Sequence, residues 1–294
     1  MNCIDQSISA DYALYNGDCV EVLKGIPDNS IHYSIFSPPF SSLYTYSNSP
    51  RDMGNCKTHD EFFYHFGFLI DELIRVMQPG RNVSFHCMLL PTSKERHGHI
   101  GLYDFRGDLI RAFQQRGFIF ASEVVIWKDP VTAMQRTKAL GLLHKSVREN
   151  ASMCRQGIPD YLVTMRKPGD VVERVKHDAS EYPVSKWQQV ASPVWMDINP
   201  SDTLQYQSAR EHNDERHICP LQLQVIERGI DLWTNPNDVV LSPFAGIGSE
   251  GYVALQMNRR FIGVELKQSY YKQAALNLAN AKKQTNDLFG YEAA

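Results

Sequence analysis

Two short stretches carry residue types whose spacing could do chemistry. The first is Ser37-Pro38-Pro39-Phe40, at the end of a β-rich run. Two successive prolines fix the backbone and leave two carbonyls with no neighbouring N–H to occupy them. A rigid carbonyl and the Ser37 hydroxyl could together accept both hydrogens of an exocyclic amino group. Accepting them would draw the nitrogen lone pair out of conjugation with a base ring, toward an incoming methyl group. Phe40 offers a face on which a flipped base could stack. By itself, the tetrapeptide could equally be a strand-end turn with a packed aromatic.

The second stretch, Phe244-Ala245-Gly246-Ile247-Gly248-Ser249-Glu250-Gly251, follows one predicted strand and opens a predicted helix. It reads as G-x-G-x-x-G, and Glu265 lies 19 residues past the first glycine, at the end of the next strand. Glycines for a tight turn and close backbone approach, with an acid for ribose hydroxyls, form a nucleotide-cofactor fingerprint. NAD and S-adenosylmethionine both present a ribose and an adenine, so the fingerprint does not choose between them. Its position in the chain does help. Too few residues follow Glu265 to complete a nucleotide-binding half-sheet, so the remaining strands must come from the N-terminal part. Such a permuted order counts against an ordinary dehydrogenase.

The elements that must hold these stretches follow from periodicity. Residues 13–18 predict a strand ending in a turn, 20–24 a short helix and 31–36 a strand stopped by the two prolines. Residues 41–57 read as a long loop. Apolar residues at 62, 66, 69, 70, 73, 76 and 77 have helical spacing, and Gln78-Pro79-Gly80 should stop that helix. Strands at 83–90 and 118–127 flank a helix at 109–116. After Ser192-Pro193 and Asn199-Pro200 the rhythm resumes, with helices at 221–232, 249–257 and 269–283 around strands at 238–241 and 261–265. Alternation of this kind predicts an α/β, Rossmann-like sheet with covered faces.

The middle is different. Residues 128–176 hold ten Lys and Arg against five Asp and Glu, in a chain whose net charge is −3. A solvated surface insertion and a nucleic-acid-binding face both fit that excess. The overall charge excludes a protein that grips nucleic acid by bulk charge alone. Hydrophobic residues at 43% and charged residues at 21% exclude disorder, and no apolar run reaches membrane-span length. Met1 to Tyr15 has no apolar core, which predicts no secretory signal. The 6 cysteines form no C-x-x-C, so neither a zinc site nor a disulfide framework is expected, and reduced thiols in a cytoplasmic protein are the simplest reading.

Taken together, the chain resembles the amino-group DNA methyltransferases of the permuted β class, in which the catalytic tetrapeptide precedes the cofactor loop. The resemblance spans nearly the whole chain. It also takes in Asn16-Gly17-Asp18-Cys19, Arg75 to Gly80, Asp160 to Gly169 and Arg216 to Leu221, and is most specific over Val239 to Ser249. Ser242 stands where the family usually has Asp, and Cys219-Pro220 where it has His-Pro. The resemblance implies Ser37, Pro38, Pro39 and Phe40 as catalytic residues. It implies S-adenosylmethionine held by Asp18, Cys19, Ser37, Ile218, Ser242, Phe244, Ala245, Gly246, Gly248, Ser249 and Glu265. Double-stranded DNA is the implied partner, contacted by Tyr44 and Tyr46 and by Arg136, Lys138, Lys145, Arg148 and Arg155.

The implied division is a catalytic half over 1–127, a target-recognition insertion over 128–200 and a cofactor half over 201–294. The chain as a whole is most similar to solitary, phage-type adenine methylases, so N6 of adenine is the expected target. A tetrapeptide that begins with Ser is commoner among N4-cytosine enzymes, which keeps cytosine as the alternative. RNA or protein-amide methylation and a non-catalytic DNA-binding regulator are further alternatives. A stand-alone enzyme is expected, with no metal, no membrane and, as is common in this class, a homodimer.

Overall fold

The computed structural model describes residues 2–40, 52–131, 144–153, 156–205 and 220–289. Eleven strands and nine helices of four residues or more are defined among the described residues. Nine of the strands form one sheet.

The chain opens with β1 (Asp5–Ile8) and β2 (Tyr12–Asn16), helix α1 (Cys19–Leu23) and β3 (Ile31–Phe36). Helix α2 (His59–Val76) runs directly into β4 (Met77–Met88), followed by the small hairpin strand β5 (Leu90–Thr92). Next come α3 (Lys94–His97), the partner strand β6 (Gly101–Tyr103), α4 (Phe105–Gln115) and β7 (Ile119–Ile126). The middle supplies α5 (His144–Asn150), β8 (Asp160–Arg166), α6 (Val184–Ala191) and β9 (Val194–Trp195). The last part is α7 (Leu223–Trp233), β10 (Val239–Ser242), α8 (Ser249–Gln256), β11 (Arg260–Glu265) and α9 (Gln268–Phe289).

The sheet order is β1-β2-β11-β10-β3-β4-β8-β7-β9. Strands β2, β11, β10, β3 and β4 are mutually parallel, while β8 pairs antiparallel with both β4 and β7. The last two long strands of the chain therefore insert between the first two of the parallel set. That arrangement sets the glycine-loop strand beside the tetrapeptide strand, although about 200 residues separate them in sequence.

Both faces of the sheet are covered. Strand residues alternate between faces, so Leu241 and Val163 pack with Phe62, Phe66, Leu109 and Phe113 of α2 and α4. Their neighbours Val240 and Leu162 pack with Val225, Ile226, Ala254 and Leu278 of α7, α8 and α9. Burial of these two apolar layers is the main force holding the sheet between helices.

Three expectations need correction. Gln78-Pro79-Gly80 does not separate α2 from a later strand, since β4 already starts at Met77, which pairs with Ile31. The ladder register shifts between Ile31 and Tyr33, and Gly80 takes a φ of 73°. A left-handed glycine in such a bulge lets proline sit at the start of a strand without breaking the pairing that follows. The strand also stops at Met88, short of the expected Leu90, which belongs to the separate β5–β6 hairpin.

The third concerns the 128–200 segment, which supplies two strands of the main sheet besides its basic stretch. Its residues 160–166 are β8, deep in the main sheet, with Leu162, Val163 and Met165 buried, and Trp195 of β9 is buried too. Its positive charge is partly structural as well. Lys167 donates to the Asn29 side chain and the Met77 carbonyl, and Lys128 pairs with Asp160.

Candidate active site

The parallel strands end together along one edge of the sheet, where open α/β sheets form their ligand crevices. Four of those ends matter. Asn16 ends β2 with Gly17 and Asp18 just beyond it, Glu265 ends β11, Ser242 ends β10 with the glycine loop after it, and Ser37 follows β3.

The glycine loop is built to approach something closely. Gly246 has φ 52° and Gly248 φ 86°, conformations that a side chain makes costly. Among the described residues, a Cβ at Gly246 would meet no atom within 4 Å. At Gly251 a Cβ would lie 2.5 Å from the Phe261 ring and 2.6 Å from Leu278, so this glycine lets α8 press onto β11 and α9. Ala245 and Ser249 are buried; the Ala245 N–H is spent on Val264 O and the Gly248 N–H on Ala245 O. Asn277, from α9, donates to the Ile247 carbonyl at 2.8 Å and braces the loop from behind.

Glu265 closes the other side of this crevice. One carboxylate oxygen accepts from the Gly246 N–H at 2.9 Å and the other from the Lys267 N–H at 2.8 Å. Burial pushes its carboxyl up to about 7; these two N–H donors work against the rise, and the charge of Asp52 adds to it. Burial pushes the neighbouring Glu250 up to about 8, with Glu265 contributing. Two carboxyls that resist ionisation side by side make a place where a cationic ligand would be stabilised. Asn16 fixes the end of β11, donating to the carbonyls of Glu265 and Leu266 at 2.8 and 3.0 Å.

Asp18 caps α1, accepting from the Val20 and Glu21 N–H groups at 2.9 and 3.2 Å. It also lines a cavity of about 530 Å³ between α1 and α2, with Asp52 on the same wall. Cys19 is buried beside it, and burial drives its thiol far up, so its side chain belongs to the core. Ser242 is fully buried, and its hydroxyl has no hydrogen-bond partner among the described residues. Phe244 packs on Phe36 at 5.7 Å between ring centroids and stacks near Phe66.

On the neighbouring strand, Ser37 and Phe40 are half-buried, and Phe40 leans on Phe105 with 6.3 Å between ring centroids. Ser37 Oγ lies 3.2 Å from His86 Nδ1, a contact that sequence reasoning did not anticipate. Lys145 and Arg148 sit exposed on α5, where Lys145 faces Glu149 at 3.6 Å. Tyr44, Tyr46, Arg136, Lys138, Arg155 and Ile218 lie outside the described residues.

The residues missed from the sequence are Asn16, Asp52, His86, Glu250 and Asn277, together with Lys128 and Asp160 in any role at this edge. Glu250 stood inside the glycine motif, and its buried acid on a helix start was a usable signal. His86 had a weaker one, as a polar residue inside an apolar strand. The others could be found only through tertiary contacts, strand pairing for Asn16, Asp160 and Lys128 and loop and helix packing for Asp52 and Asn277.

The three-layer α/β sheet with the glycine loop at this edge matches solved methyltransferase structures along nearly its whole length. TTHA0409 of Thermus thermophilus, solved in complex with S-adenosyl-L-methionine, matches with a TM-score of 0.67 and 21% identity, over 93% of this chain and 96% of that one. The cytosine-N4-specific PvuII DNA methyltransferase matches with a TM-score of 0.68 and 18% identity, over 97% of each chain. In sequence, the type II methyltransferase M.BglII of Bacillus subtilis is 25% identical over 279 residues, 93% of this chain and 71% of the relative. The chain belongs to the DNA methylase family N6_N4_Mtase, which matches residues 31–276.

Proposed function

We propose that this DNA methylase transfers a methyl group from S-adenosylmethionine to the exocyclic amino group of a base flipped out of duplex DNA. One observation carries the reading: the glycine loop after β10 and Ser37 after β3 are neighbours on adjacent parallel strands. A cofactor cradled by the first would have its reacting end toward the second.

The residues fit that cofactor. Among the described residues the buried Ser242 hydroxyl has no partner and nothing crowds Gly246, and Glu250 and Glu265 would welcome positive charge. When bound, S-adenosylmethionine supplies an electrophilic methyl on a sulfonium. Asp18, Phe244, Gly246, Gly248 and Glu265 are the residues we assign to holding it, with Ser242 replacing the family's usual acid. Cys19, Ala245 and Ser249 would contribute through position rather than side chain, and Ile218 and Ser37, the latter at the reacting end, complete the set implied by the resemblance. Ser37 and the carbonyls fixed by Pro38 and Pro39 would accept the amino hydrogens, and Phe40 would stack on the base. Transfer is direct and in line, so catalysis rests on positioning and on acceptors that tighten at the transition state.

Within this family the candidate amino groups are N6 of adenine and N4 of cytosine. N6 of adenine is favoured by the pattern of the whole chain. N4 of cytosine is favoured by the residue at the site itself, since Ser37 heads the tetrapeptide, and by the likeness to the cytosine-N4-specific PvuII enzyme. Incubation with mixed-sequence duplex DNA, followed by nucleoside mass spectrometry, decides between them. N6-methyladenine supports the first reading and N4-methylcytosine the second. A protein that binds S-adenosylmethionine yet methylates neither base would overturn both.

The basic segment after β7 is the proposed reader of DNA sequence, with phosphate contacts setting register. Neutralising Arg136, Lys138, Lys145, Arg148 and Arg155 together should weaken DNA binding and flatten its salt dependence. Unchanged affinity and salt slope would remove that assignment. The proposed enzyme is also expected to be a homodimer, which its mass in solution tests.

A further inference from the structure

Ser37 begins a line of polar side chains that crosses four strands. In the parallel pair β3–β4, Phe36 is the partner of Phe85, so the next residues, Ser37 and His86, fall side by side. In the antiparallel pair β4–β8, His86 faces Leu162, which brings Asp160, two residues away, onto the same face as a diagonal neighbour. Ile126 of β7 pairs with Asp160, and Lys128 follows two residues later. The resulting distances are 3.2 Å from Ser37 Oγ to His86 Nδ1, 2.9 Å from His86 Nε2 to Asp160 Oδ2, and 2.5 Å from that oxygen to Lys128 Nζ.

From this geometry we infer that His86, oriented by Asp160 and Lys128, is the positioning residue that makes Ser37 an acceptor for the substrate amino group. The inference rests on the amino-methylation reading above.

The polarity of the line follows from what each group can give. Asp160 has only 3% of its side chain exposed, and it stands between an imidazole and an ammonium. Burial would raise its carboxyl, but His86 and Lys128 outweigh that and hold it below the ordinary value. In the neutral form of His86, a carboxylate 2.9 Å from Nε2, having no proton to donate, favours the tautomer with the proton on Nε2, which leaves the Nδ1 lone pair toward Ser37. Ser37 must then donate its hydroxyl proton to Nδ1, and both Oγ lone pairs are left facing outward. An unsupported serine would rotate freely between donor and acceptor; this one is committed.

The same line gives the departing proton a route. As the amino nitrogen forms its bond to the methyl carbon, the carbon–sulfur pair leaves with sulfur and the nitrogen holds one proton too many. That N–H bond breaks toward Ser37 Oγ while Ser37 passes its own proton to Nδ1. The hydroxyl is restored, and the imidazolium formed is paired with Asp160.

Two measurements test this. Single-turnover methyl transfer is compared for the wild type, His86→Ala, His86→Asn, Ser37→Ala and the Ser37→Ala/His86→Ala pair. His86→Ala should slow transfer about 100-fold or more, with S-adenosylmethionine affinity within about twofold of wild type. His86→Asn, whose Oδ1 can stand in for Nδ1 as an acceptor, should recover about tenfold of that loss. The double variant should be no slower than Ser37→Ala alone. A loss shared equally by rate and cofactor binding, or full additivity of the two substitutions, overturns the positioning role.

The second measurement needs no turnover. Long-range proton–nitrogen NMR should find His86 protonated on Nε2 in the wild type and on Nδ1 in Asp160→Asn. Nδ1 protonation in the wild type overturns the inference even if the enzyme is active. A wild type that shows the Nε2 tautomer but methylates no DNA leaves the orientation standing and removes the methylation reading instead.

Discussion

The two halves of the candidate active site are built on opposite principles. The cofactor side is mostly local: apart from Asn16 and Asp18, a strand, a glycine loop, a helix, a strand and an acid follow one another within about thirty residues, and Glu265 closes on Gly246 across 19 positions. The acceptor side is assembled from four strands, with Ser37, His86, Asp160 and Lys128 drawn from separate parts of the chain. A local site is stabilised by the packing of its own unit and fails when that packing fails. An assembled site depends on register, and it can lose its chemistry while the fold stays whole.

The sharpest way to break that contrast is Ser37→Ala. It should cut single-turnover transfer about 100- to 1,000-fold while leaving thermal stability and cofactor affinity nearly unchanged. A parallel fall in cofactor binding would show that the two sides are not separable.

Gly251→Ala should do the reverse. The new Cβ has no room beside Phe261 and Leu278, so denaturant titration should show a loss of about 1–3 kcal/mol before any specific effect on turnover. Wild-type stability would mean that α8 is not pinned to β11 as tightly as the geometry requires.

A smaller effect separates the sides by pH. Glu250 and Glu265 bind protons more tightly folded than unfolded, so the ligand-free protein should lose stability as pH rises from about 4.5 through about 8. Below 4.5 both carboxyls are protonated in either state and their contribution is fully present. S-adenosylmethionine, being cationic, should bind more tightly over the same rise, and Glu265→Gln should flatten that dependence. A wild-type affinity independent of pH, measured by calorimetry, would remove the electrostatic role given to these acids.

The smallest expected effect is at Asp18. Replacing it with Ala removes the acceptor for two N–H groups at the start of α1, which should cost about 1 kcal/mol in thermal or denaturant unfolding. A much larger loss would indicate that Asp18 also holds together the wall it shares with Asp52.

The same contrast explains how much was legible beforehand. The glycine loop and Glu265 could be read because their chemistry is written in consecutive residues at fixed offsets. The β3 boundaries at Ile31 and Phe36 matched because two prolines end a ladder by removing donors. Residues 77–80 misled because glycine and proline terminate a helix and also form a bulge, and only the partner strand decides which. Lys128 and Lys167 misled for a related reason. A cation in a basic segment is a surface charge until a buried carboxylate or carbonyl is brought to it, as Asp160 and Met77 are here.

By itself, then, the sequence determined the alternation of strands and helices, the cofactor-type loop, the tetrapeptide and the family these resemble. Each depends on neighbours in the chain, and periodicity and turn chemistry act over a few residues. The tertiary structure alone decided that β10 and β11 slot between β2 and β3, and that β8 lies within the main sheet. It therefore also decided that Ser37 meets an imidazole held by a buried carboxylate. Those contacts follow from strand order and register, in which a shift of one residue turns every side chain to the opposite face.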